Sequence, residues 1–92
     1  MLPHIGADAI RQAVKEWDEI GQEAFLKKYG FGRARQYFLL INGKEYASKA
    51  IVGRAYGYQF PDQDPLRSSD FTGGRNTVQR LLESLGFTVM VH

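Results

Sequence analysis

Two stretches of this chain carry residue types that hold anions. In "SDFTGGRNTV", residues 69–78, a Gly-Gly pair leads toward a segment with helical apolar spacing. Glycines there let the backbone come close to a ligand, and a helix N-terminus offers unsatisfied N–H groups with a partial positive charge. Thr72, Arg75, Asn76 and Thr77 add side-chain donors at the same end, so that together with Gly73 and Gly74 the stretch has the parts of a phosphate site. It lacks the GxxxxGK[ST] spacing, and a nucleoside triphosphate is not implied. The same residues also fit a plain turn in which Thr72 or Asn76 caps the helix.

The second stretch runs over residues 33–54. Arg33 and Arg35 lie in "GFGRARQ" without a helical acid partner, and Lys44 sits beside a hairpin turn. Lys49 falls in the first turn of a helix, where a cation opposes the dipole. A cation set against its local preference marks a candidate ligand contact. The competing account is a lysine whose stem covers apolar surface. Arg54 is expected to face solvent on the same side. Tyr46 and Tyr58 read as core, whereas Tyr56 lies off the buried helical face and is the candidate base contact.

Catalytic chemistry is poorly supplied. The two histidines, His4 and His92, sit at the ends of the sequence, and cysteine is absent. A general acid–base pair, an activated nucleophile or a His/Cys metal cluster therefore has no obvious source. "PDQD" begins like a common nuclease pattern, but the acid-x-lysine that should follow is missing, since Glu83 is followed by Ser84 and Leu85. Asp62 and Asp64 read as turn residues. The expectation is a non-catalytic domain with no metal and no cofactor.

The elements that must position these residues follow from periodicity. Ile10, Val14 and Trp17 share one face of a first helix over about residues 8–19, with Asp8 as its expected N-cap. Gly21 interrupts the chain before a second helix, "QEAFLKKYG". Its acid comes first, its bases last, and Gly30 ends it, as the helix dipole favours. Lys27 and Lys28 thus have a structural reason and are set aside as ligand contacts. "QYFLLINGKEYA" predicts a hairpin around an Asn42-Gly43 type I′ turn. Ser48 is the expected cap of a third helix bearing Ile51, Ala55 and Tyr58. Gly53 inside that helix predicts a close approach by another element. "PDQDP" is a loop; a fourth helix follows, with Val78, Leu81, Leu82 and Leu85 buried and Gly86 at its end. "FTVMV" supplies a third strand for the hairpin. The order ααββααβ predicts one small α+β domain over residues 1–92, a three-stranded, mainly antiparallel sheet with helices packed against it.

Composition agrees with a globular domain: 43% of the 92 residues are apolar and 24% charged. No apolar run reaches the roughly 18–20 residues of a membrane span, and "MLPHIGADAI" lacks the pattern of a signal peptide. A cytoplasmic location is expected. The net charge of +2 is unevenly spread, at −3 over residues 1–26, +6 over 27–60 and −1 over 61–92. A basic middle of this kind favours a polyanion.

"YGFGRARQY", "YASKAIVGRAYGY" and "FTGGRNTVQRLLESLGF" together resemble the N-terminal head domain of bacterial HNH restriction endonucleases related to McrA. The resemblance runs from about Ile10 to Val89. The signature positions present are Tyr46, Ser48, Lys49, Ala50, Ile51, Gly53, Tyr58, Phe71, Gly73, Gly74, Thr77 and Val78. It implies an accessory domain of a modification-dependent (type IV), anti-phage bacterial nuclease that binds or positions DNA and stands first in a longer polypeptide. It does not carry over nuclease activity, because the HNH motif is absent from these residues. The expected partners are DNA, duplex in preference to single strand, and the other domains of the parent polypeptide; no membrane and no small-molecule substrate are expected. The predicted DNA contacts are Arg33, Arg35, Lys44, Lys49, Arg54, Thr72, Gly73, Gly74, Arg75 and Asn76. Phosphate contacts by Arg33, Arg35, Lys44, Lys49 and Arg75 predict a log–log salt slope of roughly −4 to −5 on a duplex. A sharper variant reads a modified base. The alternative class is a protein-interaction domain that docks on its own polypeptide or dimerises.

Overall fold

A computed structural model describes residues 4–92. Helix α1 (Ala7–Ile20) and helix α2 (Gln22–Tyr29) lead into strands β1 (Tyr37–Ile41) and β2 (Lys44–Ala47), then helix α3 (Ser48–Gln59). After a loop holding a single 3-10 turn (Ser68–Asp70), a π-wound turn (Arg75–Gln79) runs into helix α4 (Arg80–Ser84), and strand β3 (Thr88–Val91) closes the sheet. The order and class match the expectation from sequence.

The hairpin forms because Asn42 and Gly43 both take positive φ, 51° and 78°, as a type I′ turn requires. β1 is central, antiparallel to β2 on one side and to β3 on the other, with Leu39 opposite both Tyr46 and Val89. All three of those side chains are buried. One face of the sheet thus joins the core made by Ile10, Val14 and Trp17 of α1, Phe25 of α2, Ile51 and Ala55 of α3, and Val78 and Leu82. Trp17 lies 5.1 Å from the Phe25 ring and meets Tyr46 edge-on at 5.6 Å. Leu81 and Leu85 are only partly buried.

Two helix starts differ from expectation. Gly6, not Asp8, is the N-cap of α1, and its N–H donates to Gln59 Oε1 at 2.8 Å. Asp8 sits inside the first turn and pairs with Arg11. Ser48 does not cap α3 either; Ala47 holds that position, and the buried Ser48 hydroxyl donates to the Tyr37 carbonyl at 2.9 Å. The hydroxyl thus ties β1 to the start of α3 and cannot also serve as a cap. Gly53 behaves as predicted: a Cβ there would stand 2.5 Å from Phe31 Cζ and 3.1 Å from the Leu66 carbonyl oxygen.

Candidate nucleic-acid interface

A cleft of about 420 Å³ opens between the loop before β1 and the start of α3. Arg33 and Arg35 come from the loop, Lys49 from the first turn of α3, and Gly73 from the loop before α4. Its apolar wall includes Phe31 and Tyr37, and no carboxylate lines it. Four of the residues singled out in the sequence are therefore neighbours in space, although 40 positions separate the first from the last.

Lys49 is held in place. Its ammonium donates to the Ser68 carbonyl at 2.7 Å and to the Ser68 hydroxyl at 3.3 Å, and lies 5.1 Å from the Phe71 ring centroid. Its stem runs across Gly73, where a Cβ would come within 3.0 Å of Lys49 Cδ. The partners are neutral, so the charge stays available to an anion. The position against the dipole has a local explanation as well, since the Ser68 carbonyl and the Phe71 face receive the ammonium. Arg35 is exposed and has no ion-pair partner among the described residues, while Arg33 pairs with Glu23.

The rest of the predicted set lies elsewhere. Arg54 does not face solvent: its side chain is 20% exposed, its Nε donates to Glu16 Oε1 at 2.7 Å, and its guanidinium packs on the Tyr58 ring at 3.9 Å. The three-residue offset from Ile51 points it across to α1, where Glu16 holds it. Arg54 is thus held by Glu16 and does not line the cleft. Lys44 is on β2 and pairs with Asp18 at 2.6 Å. That ammonium holds the Asp18 carboxyl below its usual range, against the opposing effect of burial and with help from the Tyr46 hydroxyl. Tyr56 is half-buried with its ring 4.9 Å from Phe60, and it is not on the cleft wall; Tyr37 is.

The helix N-terminus expected after Gly74 is also different. Residues 75–79 wind as a π turn in which the Gly74 carbonyl accepts from both Thr77 N–H and Gln79 N–H. The Thr77 hydroxyl donates to the Thr72 carbonyl at 2.6 Å, and neither Thr72 nor Asn76 acts as a side-chain cap. Gly73 makes room for the Lys49 side chain. Arg75 and Asn76 line a separate depression with Arg80, one that also contains Glu83. Ser68 was missed from sequence, and Phe71 was named only as a signature position without a role, because only the folded path of the 60–74 loop brings them to Lys49.

Among the described residues there is no group of three or more His, Cys, Asp or Glu side chains able to hold a metal, and no helix long and apolar enough to cross a membrane. What the cleft offers is cationic donors on a partly apolar floor, the chemistry of a site for a phosphate group.

Residues 3–91 match the family model described as ScoMcrA-like, N-terminal head domain, and the chain belongs to that family. A solved structure, that of the type IV phosphorothioation-dependent restriction endonuclease ScoMcrA, is 31% identical with a TM-score of 0.71. The match covers 98% of this chain and 13% of that one. The likeness is thus to a head domain. The search of curated proteins found no match.

Proposed function

We propose that this domain binds the phosphate backbone of duplex DNA and so positions it for the rest of a restriction endonuclease of the matched type. The observation that carries this reading is the convergence of Arg33, Arg35 and Lys49, from two separate segments, on one cleft without a carboxylate on its wall. Family membership supports it, since the structurally similar protein is a restriction endonuclease that depends on a modification of DNA. Contacts of this kind fix register and orientation and carry no base sequence. Recognition of the modification then belongs to other parts of the parent protein, and the domain itself contributes affinity without turnover.

A salt titration of binding to a labelled 20-bp duplex tests the reading. Arg35 and Lys49, the two cleft cations without a carboxylate partner, predict a log–log slope of about −2 from the cleft alone. Arg35→Ala is the cleanest variant, because Arg35 has no partner to lose among the described residues. It is expected to weaken binding equally on all duplexes and make the slope shallower by about 0.9. Absence of binding at low salt would remove the reading. Docking through exposed Met90 and Val91 of edge strand β3 would then be the better account.

A further inference from the structure

Ion pairing sorts the cations into two groups. Lys28 and Arg54 pair with Glu16, Arg33 with Glu23, Lys44 with Asp18, and Arg11 with Asp8. Among the described residues, Lys15, Lys27, Arg35, Lys49, Arg67, Arg75 and Arg80 have no carboxylate partner. Two of these seven, Arg35 and Lys49, line the cleft described above. Two more, Lys27 and Arg67, line a second and shallower groove of about 590 Å³ beside Gly30, again with no carboxylate on its wall. Ser68 lines both. The residue that holds Lys49 is thus on the wall of both depressions.

The dipole of α2 accounts for Lys27 being at the end of that helix, but it says nothing about Arg67. Arg67 arrives from a loop 40 residues further along and finds no acid there. Asp64 and Asp70 are the nearest acids in sequence and neither pairs with the guanidinium; Asp70 Oδ2 instead accepts the Arg67 backbone N–H at 2.7 Å, capping the 3-10 turn. Lys28, 60% exposed, adds a third positive charge on the same wall while its ammonium remains on Glu16. Like charges brought together from two segments repel one another, and a polyanion relieves that repulsion.

We infer that Lys27 and Arg67 form a second phosphate-binding station, continuous through Ser68 with the first cleft, so that one strand of a DNA duplex lies across both. This rests on the reading of the first cleft as a duplex-backbone site and extends it to Lys27, which the α2 dipole also explains, and to Arg67, which it does not. With Arg35 and Lys49 the track offers four cations free of a carboxylate, and the slope expected of the wild-type chain becomes about −3.6.

The test uses the whole 92-residue chain and a labelled 20-bp duplex over a range of salt. The variants are Lys27→Ala with Arg67→Ala, Arg35→Ala, and Lys15→Glu, which removes the same net charge as the double variant from an exposed site on α1. Lys27 and Arg67 are exposed, so the double variant keeps its fold, and an unchanged Tm verifies this. The double variant is expected to be shallower by about 1.8 in slope, with Lys15→Glu close to wild type. If the double variant binds as wild type while Arg35→Ala is weakened, the second station is wrong and the first cleft stands. If Lys15→Glu lowers the slope as much, net charge explains the effect and the station is wrong. If the wild type does not bind duplex at low salt, both readings fall together.

Discussion

Glu16 carries more of this structure than its place in the sequence suggests. It lies on the stripe Ala9, Ala13, Glu16 of α1, a spacing that turns it inward, and only 11% of its side chain is exposed. Its two oxygens accept from Arg54 Nε at 2.7 Å, Tyr58 OH at 2.8 Å, Lys28 Nζ at 3.2 Å and the Tyr29 hydroxyl, joining α1 to both α2 and α3. Burial pushes the carboxyl up, but the donors led by Arg54 outweigh it and hold it at about 2 instead of 4.5. Because the folded value is the lower one, this stabilisation is complete above pH 4.5 and is lost as the pH falls toward 2. The shift corresponds to about 3 kcal/mol. Urea unfolding across that window should show the loss in wild type and a flatter profile in Glu16→Gln. At pH 7 the same variant should be less stable by about 3–5 kcal/mol, because Arg54 keeps its charge without its partner. An unchanged midpoint in Glu16→Gln would show that the cluster is dispensable. The Ile10, Val14 and Trp17 face of α1 was legible in the sequence, but the burial of Glu16 beside it was not, because its four donors come from α2 and α3.

Elements whose signals are local were legible. Asn42-Gly43 gave the hairpin, Gly30 and Gly86 the ends of α2 and α4, and Gly53 the close approach of Phe31 and Leu66. The 60–74 loop was not legible, because its path depends on non-local bonds such as Leu66 N–H to the Gly53 carbonyl at 3.0 Å and Lys49 to Ser68. Two glycines on this loop and its partner helix make opposite predictions. Gly53→Ala would gain about 1 kcal/mol of helix propensity, yet its Cβ meets an aromatic ring and a backbone carbonyl in a filled space. A net loss of about 1–3 kcal/mol is expected from overpacking, read as a lower Tm; a raised Tm would show that the loop yields easily. At Gly73 the added Cβ meets only the flexible stem of Lys49. Gly73→Ala should therefore leave the Tm nearly unchanged while displacing the ammonium from Ser68 and weakening duplex binding. Equal binding by Gly73→Ala and wild type would mean that the position of Lys49 does not matter for the interaction.

At the scale of the molecule, charge in sequence and charge in space are different things. The +6 of residues 27–60 looked like a basic face, but α1 and α2 fold their acids onto it, and Glu16, Asp18 and Glu23 take up Lys28, Arg54, Lys44 and Arg33. What survives is a smaller positive region around Ser68, built partly from Arg67 in a segment whose net charge is −1. No summing along the chain could have located it. On the proposed reading, this surface recognises regular phosphate spacing and not base identity. Duplexes of unrelated sequence but equal length should therefore bind with the same affinity at a given salt, and their plots of log affinity against log salt should coincide. The comparison extends to a duplex with one phosphorothioate linkage, the class of modification named for the structurally similar endonuclease. A backbone-positioning head keeps its affinity there, because the charge of the linkage is retained. A preference of tenfold or more for either the modified duplex or one sequence, about 1.4 kcal/mol of discrimination, would require a direct reader in the cleft. Tyr37 and Phe31 would then be the side chains to replace first.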